Sequence, residues 1–497
     1  MEKNLNYLIA GLLLITTLLY SEQLSSTQGA VRTSFETVKI SSDEDMGLLG
    51  TSYLVEANKN FYYGASVYGA VTGKRGGFFV GGFNAGMKYA VYQNLYFDSG
   101  AFVGGGGGGS APQGGGLMLK GYAGGLYEFD SGYSLGLNYS YVIFPNGDIE
   151  SSQLSFVADM KFETLYVEPH ISQEMFTNYS FKNEKDYLVA TTQVYFPKEG
   201  TKKVSGKDLN QNIQLLGVEY GFNISDDFIT YVESAGALGG DSTGYMEILG
   251  GVGYSYEFTA KSNAQVKLSL GAAGGGEVNT GGGGVTKASL NFNYSALKSL
   301  TTGIGVGYYH ALEGNFDAKF AKIQVGMNTN LLTLGSQKSS IDFDMFDTQK
   351  FTLRFSHQTY LYDETLSPRK DGEPIQLLGA KIDWYLNDNF YVTGQGFAAY
   401  RGGAGGYATG IFGLGYIQAI MKDISLVAEL AGGAGGGGSL QTGSGMIAQP
   451  MAGCIYDINK KLALELMAGK IMAINGELES NLIDFSFIYR FDKLVMK

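Results

Sequence analysis

Residues Tyr133–Ile143 read YSLGLNYSYVI. Leu135, Leu137, Tyr139, Tyr141 and Ile143 alternate with Ser134, Gly136, Asn138 and Ser140. An apolar residue at every second position is the mark of a half-buried β-strand. The same alternation runs through Phe79–Val91, where Phe79, Phe83, Ala85, Met87, Tyr89 and Val91 face away from Gly82, Asn84, Gly86 and Lys88. Ile483–Phe491 sets Ile483, Phe485, Phe487, Tyr489 and Phe491 against Asp484, Ser486 and Arg490. A soluble antiparallel sheet shares this pattern with its apolar face turned inward. Three features favour a membrane barrel over a secreted solenoid or sandwich. Aromatic residues gather at strand ends, as in interfacial girdles. The strands have the ~9–11 residues needed to cross a bilayer at a tilt. They are also numerous, with few prolines between them.

Composition agrees. Of 497 residues, 75 are Gly, 35 Tyr and 30 Phe, against 7 Pro and 1 Trp. Charged residues make up 16%, below the ~25% of an ordinary soluble protein. No Gly-X-Y period is present, which excludes collagen. A hydrophobic content of 44% argues against disorder. One cysteine, Cys454, rules out a disulfide framework. The net charge of −12 gives no footprint for nucleic acid.

Residues 1–21, MEKNLNYLIAGLLLITTLLYS, place Lys3 before an apolar run from Tyr7 to Tyr20. The run is short for a membrane span and reads as a signal peptide. Beyond it, no stretch of 18 apolar residues occurs, so any crossing is made by strands.

The chain repeats three times. Leu48-Leu49-Gly50 returns as Leu215-Leu216-Gly217 and Leu377-Leu378-Gly379, spaced 167 and then 162 residues apart. Glycine tracts at Gly104–Gly109, Gly274–Gly276 with Gly281–Gly284, and Gly435–Gly438 follow the same period. Such periodicity marks a repeated structural unit. Each repeat parses into eight strands. Connections after strands 2, 4 and 6 are tight, as at Tyr92–Gln93 and Asn387-Asp388, and those after strands 1, 3, 5 and 7 are longer. Short turns on a periplasmic side and long loops outside are the pattern of an outer-membrane barrel. The boundaries expected are repeat 1 over 30–162, a seam over 163–186, repeat 2 over 187–330, a second seam over 331–349, repeat 3 over 350–491 and a tail over 492–497.

The hairpins Gly86–Phe97, Ala380–Val392 and Gly453–Leu466 resemble those of bacterial outer-membrane β-barrel proteins of the eight-stranded OmpA/OmpW-like kind. The last strand, Phe485–Phe491, resembles the aromatic C-terminal signal read by the barrel-assembly machinery, displaced by the tail 492–497. The resemblance implies an all-β transmembrane barrel in the outer membrane of a Gram-negative bacterium. Outer-membrane lipid and lipopolysaccharide would surround it, with the assembly machinery as its partner in biogenesis. Two closures are open to three eight-stranded repeats. The leading expectation is one large barrel of about 24 strands, because large single barrels are common. The alternative is three tandem eight-stranded barrels, which the long seams favour.

With the aromatic face toward lipid, the opposite face lines the lumen. The residues expected there are Arg32, Glu36, Lys88, Asp98, Lys120, Lys267, Arg354, Glu429, Asp484 and Arg490. They would form either a charged pore lining or ion pairs filling a narrow barrel. Gly281–Lys287, GGGGVTK, lacks the Gly-Lys-Ser/Thr order of a phosphate loop, so the tracts read as outward loops or places where backbones approach closely. His170, His310 and His357 lie far apart, and no metal, cofactor or catalytic constellation is expected. Lys198, Lys202, Lys203 and Lys207 make a basic loop, read first as solvated loop charge and second as a site for lipopolysaccharide phosphates. The functions these features suggest are, in order, passive passage of small solutes, a structural or surface-adhesion role for the glycine-rich loops, and lipid modification.

Overall fold

A computed structural model describes residues 24–41, 44–167, 181–184, 186–225, 227–240, 242–295, 297, 300–329, 331–334, 346–361 and 373–496. The signal-peptide reading of 1–21 and most of both seams lie outside these residues.

The first barrel consists of β1 (Leu24–Ser41), β2 (Glu44–Glu56), β3 (Phe61–Thr72), β4 (Phe79–Tyr92), β5 (Leu95–Gly107), β6 (Met118–Glu128), β7 (Tyr133–Ile143) and β8 (Glu150–Val167). After the short β9 (Phe181–Glu184) comes the second, with β10 (Asp186–Pro197), β11 (Ile213–Asn223), β12 (Phe228–Gly239), β13 (Met246–Thr259), β14 (Ser262–Gly274), β15 (Gly284–Ser295), β16 (Leu300–Ala311) and β17 (Asp317–Asn328). A second short strand, β18 (Leu331–Leu334), leads to the third barrel. Its strands are β19 (Phe346–Tyr360), β20 (Ile375–Tyr385), β21 (Phe390–Arg401), β22 (Ala408–Met421), β23 (Ile424–Gly436), β24 (Met446–Asp457), β25 (Leu462–Ala473) and β26 (Glu479–Met496).

Each repeat closes on itself. β1 pairs antiparallel with β8, with Thr33 opposite Ala158. β10 pairs with β17, with Thr191 opposite Gln324. β19 pairs with β26, with Ser356 opposite Ser486. The expectation of a single large barrel is therefore corrected to its alternative, three eight-stranded barrels. The physical reason lies in the inward faces. Eight strands enclose a space that side chains just fill, and the bulky inward residues of each repeat find room within the same repeat. The Tyr391 ring lies over Gly415, and the Tyr187 ring over Gly221. In a barrel of about 24 strands those rings would face an open aqueous lumen instead.

Strand ends extend past the expected limits. β1 starts at Leu24 opposite Val167, and β26 runs to Met496 opposite Phe346. Residues 492–496, expected as a tail, thus belong to the last strand. At this turn end β9 pairs with β18, Leu331 meets Val495, and Asp492 meets Val167. The segments entering and leaving the second barrel are zipped together and fastened to β26.

At the loop end the barrels join in a ring. The loop after β3 packs on the loop after β14. The loop after β12 packs on the loop after β23, and the loop after β21 packs on the loop after β5. A Cβ on Gly77 would stand 2.2 Å from the Gly275 nitrogen. On Gly244 it would stand 3.1 Å from that of Gly437, and on Gly406 2.9 Å from that of Gly108. All three glycines have φ between +84° and +91°, which L side chains rarely adopt. They stand 167 and 162 residues apart, the period of the repeat. The contact order is first on second, second on third, third on first, and so closes a pseudo-threefold ring. Close backbone approach is the cause of the glycine tracts. The Gly76 amide donates to the Gly281 carbonyl at 3.0 Å, and the Gly406 amide to the Gly106 carbonyl at 3.3 Å.

Candidate functional site

The alternation that builds each strand also aims its polar face inward, so the candidate residues gather inside the barrels. In the first, Arg32 on β1 is buried between two acids. Its Nη1 donates to Asp98 on β5 at 2.8 Å, and its Nε to Asp159 on β8 at 2.8 Å. The Tyr62 hydroxyl and Asn138 amide also donate to Asp98, at 2.6 and 3.0 Å. One layer toward the loops, Lys120 on β6 meets Glu36 on β1 at 2.5 Å. Glu36 also accepts from Ser140 and Gln153. At the turn-end mouth, Lys88 pairs with Glu128 at 2.7 Å, and Lys161 joins the same carboxylate.

The second barrel uses lysines. Lys267 and Lys322 share Glu219, the latter at 3.2 Å. Lys287 bridges Glu233 at 2.8 Å and Glu247 at 2.9 Å. The Tyr195 hydroxyl donates to Glu247 at 2.9 Å, and Tyr245 to the same residue at 3.1 Å.

The third barrel centres on Arg354. Its guanidinium reaches Asp383 at 2.5 Å, Glu429, and Glu465 at 3.0 Å. Lys381 meets Asp484 at 3.0 Å. Arg490 pairs with Asp457 at 2.6 Å nearer the mouth.

Of the ten residues expected in the lumen, the structure brings together Arg32 with Asp98, Glu36 with Lys120, and Arg354 with Glu429. Lys88, Lys267, Asp484 and Arg490 have partners outside that set. Each cluster spans one barrel from wall to wall, and none links two barrels. Buried charges are tolerated because they are paired and hydrogen-bonded. Glu233, Glu247, Lys287 and Glu465 complete the clusters and were missed. Glu465 carried a signal, since it lies between Leu464 and Leu466 on an alternating strand.

Outside the interiors, His310 at the end of β16 touches Asp317 at 2.7 Å on the surface, and His357 Nε2 lies 3.0 Å from the Tyr400 hydroxyl. His170 lies outside the described residues. In the basic loop, Lys202 pairs with Asp208 at 2.5 Å, and Lys203 is buried. At the ring joints one side chain clasps each pair of barrels. Glu313 accepts from the Gly73 amide at 3.1 Å, the Thr243 hydroxyl donates to the Gly443 carbonyl, and the Gln113 amide donates to the Gly405 carbonyl at 3.3 Å.

No protein-family model and no curated protein matches the sequence. Among solved structures, the chain is similar to a variant of the ferric enterobactin receptor PfeA of Pseudomonas aeruginosa in complex with enterobactin. The identity is 11% over 94% of this chain and 81% of that one, with a TM-score of 0.29. It is also similar to OccK11 (OpdR) of the same organism, at 11% identity over 95% and 100% of the two chains, with a TM-score of 0.22. The siderophore receptor PirA, again of P. aeruginosa, gives 9% identity over 95% and 80%, with a TM-score of 0.28.

Proposed function

We propose that the chain is an integral outer-membrane protein whose three barrels are closed to solutes and whose outward loops form one rigid surface platform. The observation that carries the closed state is the set of ion-paired clusters crossing every barrel. A passive channel for small solutes would require those pairs to part. The membrane reading is supported by the outward faces, where Leu137 is 49% and Tyr139 60% exposed beside a fully buried Ser140. Such a surface is costly in water and matched to lipid. The outer membrane is supported by the signal-peptide pattern, the alternating strands and the aromatic final strand. Lipopolysaccharide around the loops and the assembly machinery during insertion are the partners in this reading.

Planar-bilayer recordings of purified, heat-modifiable protein should be silent apart from brief small-ion events. Sustained stepwise conductance would reverse the closed-barrel assignment and restore the channel. The face assignment has its own test. Leu137→Arg should cost about 2–4 kcal/mol, as for a cation at the lipid-facing midplane. Urea titration in lipid vesicles measures it, and an unchanged midpoint would mean that Leu137 does not meet lipid. Ser140 is buried in the filled interior, where its hydroxyl donates to Glu36, so Ser140→Arg should also be disruptive.

A further inference from the structure

Charge is not shared evenly among the three interiors. In the first barrel the ion-paired clusters set four cations against four carboxylates, and in the second three against three. In the third, Arg354 and Lys381 face Asp383, Glu429, Glu465 and Asp484. The turn end of that barrel balances itself, since Arg490 pairs with Asp457 and Lys350 stands opposite Asp492. Among the described residues, the ion-paired cluster of the third interior therefore holds two carboxylates more than it has cations. Surplus charge away from water is costly and calls for a positive ligand.

Two side chains mark the place for it. Gln358 on β19 and Asp484 on β26 stand directly opposite each other in the ladder, and both are fully buried, whereas Ile483 and Phe485 beside Asp484 are exposed. Directly opposed residues on one face of a sheet hold their side chains within reach of each other. Asp484 Oδ1 accepts from Lys381 at 3.0 Å and from the Ser486 hydroxyl at 2.7 Å. Its Oδ2 has no hydrogen-bond partner in the protein, and neither has Oε1 or Nε2 of Gln358. Toward the loops the next inward pair is Tyr360 and Leu482, and toward the turns Ser356 and Ser486, all of them buried. Hard metal cations take oxygen ligands, carboxylates and side-chain amide carbonyls among them. We propose that the third barrel binds one oxygen-liganded metal cation between Asp484 Oδ2 and Gln358 Oε1, captured as the barrel folds. This inference rests on the closure of the third barrel and not on the membrane reading.

The test uses the full chain refolded into lipid vesicles at fixed pH and ionic strength, with choline, sodium or calcium supplied as the chloride salt. Trp384, the only tryptophan, stands next to Asp383 on β20 and reports the third barrel. Its urea unfolding midpoint should be lowest in choline and should rise, saturably, with sodium or calcium. The metal that acts at the lower concentration is the one the site prefers. Asp484→Asn and Gln358→Met should both abolish the metal-dependent shift. Gln358→Met keeps every charge and removes only the ligand amide, so it decides the matter if Asp484→Asn does not fold. A wild-type midpoint that is the same in all three salts would overturn the proposal, as would a shift that survives in Gln358→Met. A midpoint that moves with pH but not with metal would assign the compensating charge to protons, and would overturn it equally. None of these results bears on conductance, which tests the closed-barrel reading separately.

Discussion

Arg354→Leu should destabilise the third barrel by about 3–5 kcal/mol, the cost of leaving buried charges without their partner. Arg354 is the shared cation of Asp383, Glu429 and Glu465, and its removal leaves Asp383 and Glu429 without their ion-pair partner and Glu465 with only Lys381, at 3.5 Å. Trp384, the single tryptophan, sits on β20 with its ring 5.3 Å from Phe351 across the strand pair. Its fluorescence therefore reports the unfolding of this barrel and no other. Urea titration should show the tryptophan transition moved to much lower denaturant. The same change at Lys88, half-buried at the mouth of the first barrel, should cost far less, because water can solvate Glu128 there. A tryptophan transition that stays in place would show that the cluster around Arg354 is not a stabilising centre.

The second large effect concerns autonomy. Residues 186–328, expressed alone behind a signal peptide, should fold to a heat-modifiable, protease-resistant barrel. Its first and last strands pair with each other from Tyr187 opposite Asn328 to Pro197 opposite Ala318. The charges that cross its interior, Glu219, Glu233, Glu247, Lys267, Lys287 and Lys322, are paired among themselves. What the fragment loses is the ring, so the loops around Gly244 and Gly275 should be cut by protease where the full chain resists. A fragment that aggregates without a folded band would mean that closure depends on the neighbouring barrels.

The strands were legible because period two is a local property. Tyr133–Ile143 declares its two faces without reference to anything distant. Closure was not legible, because alternation says which way Arg32 points and not which strand stands opposite. Long-range pairings such as that of Arg32 with Asp159, 127 residues away, separate three small barrels from a large one. The long seams were the one sequence feature that pointed the right way. The glycine tracts were visible as a repeat, but their cause lies between repeats, where Gly77 meets Gly275. A pattern within one strand cannot reveal a contact between two barrels. The inward charges were half legible. Those on strongly alternating strands stood out, whereas Glu247 and Lys287 sit close to glycine-rich stretches that blur the period.

The ring has three joints and two covalent links. The first barrel is linked to the second and the second to the third, while the third meets the first without a direct chain connection. Assembly of three such barrels from separate chains would depend on their concentration in the membrane, whereas here the last joint closes within one molecule and at any dilution. Carrying the repeats in one chain also frees them from identity. A substitution in a homotrimer appears three times at once, but here arginine can anchor the first and third interiors and lysines the second, and Glu313, Thr243 and Gln113 can each clasp a different joint.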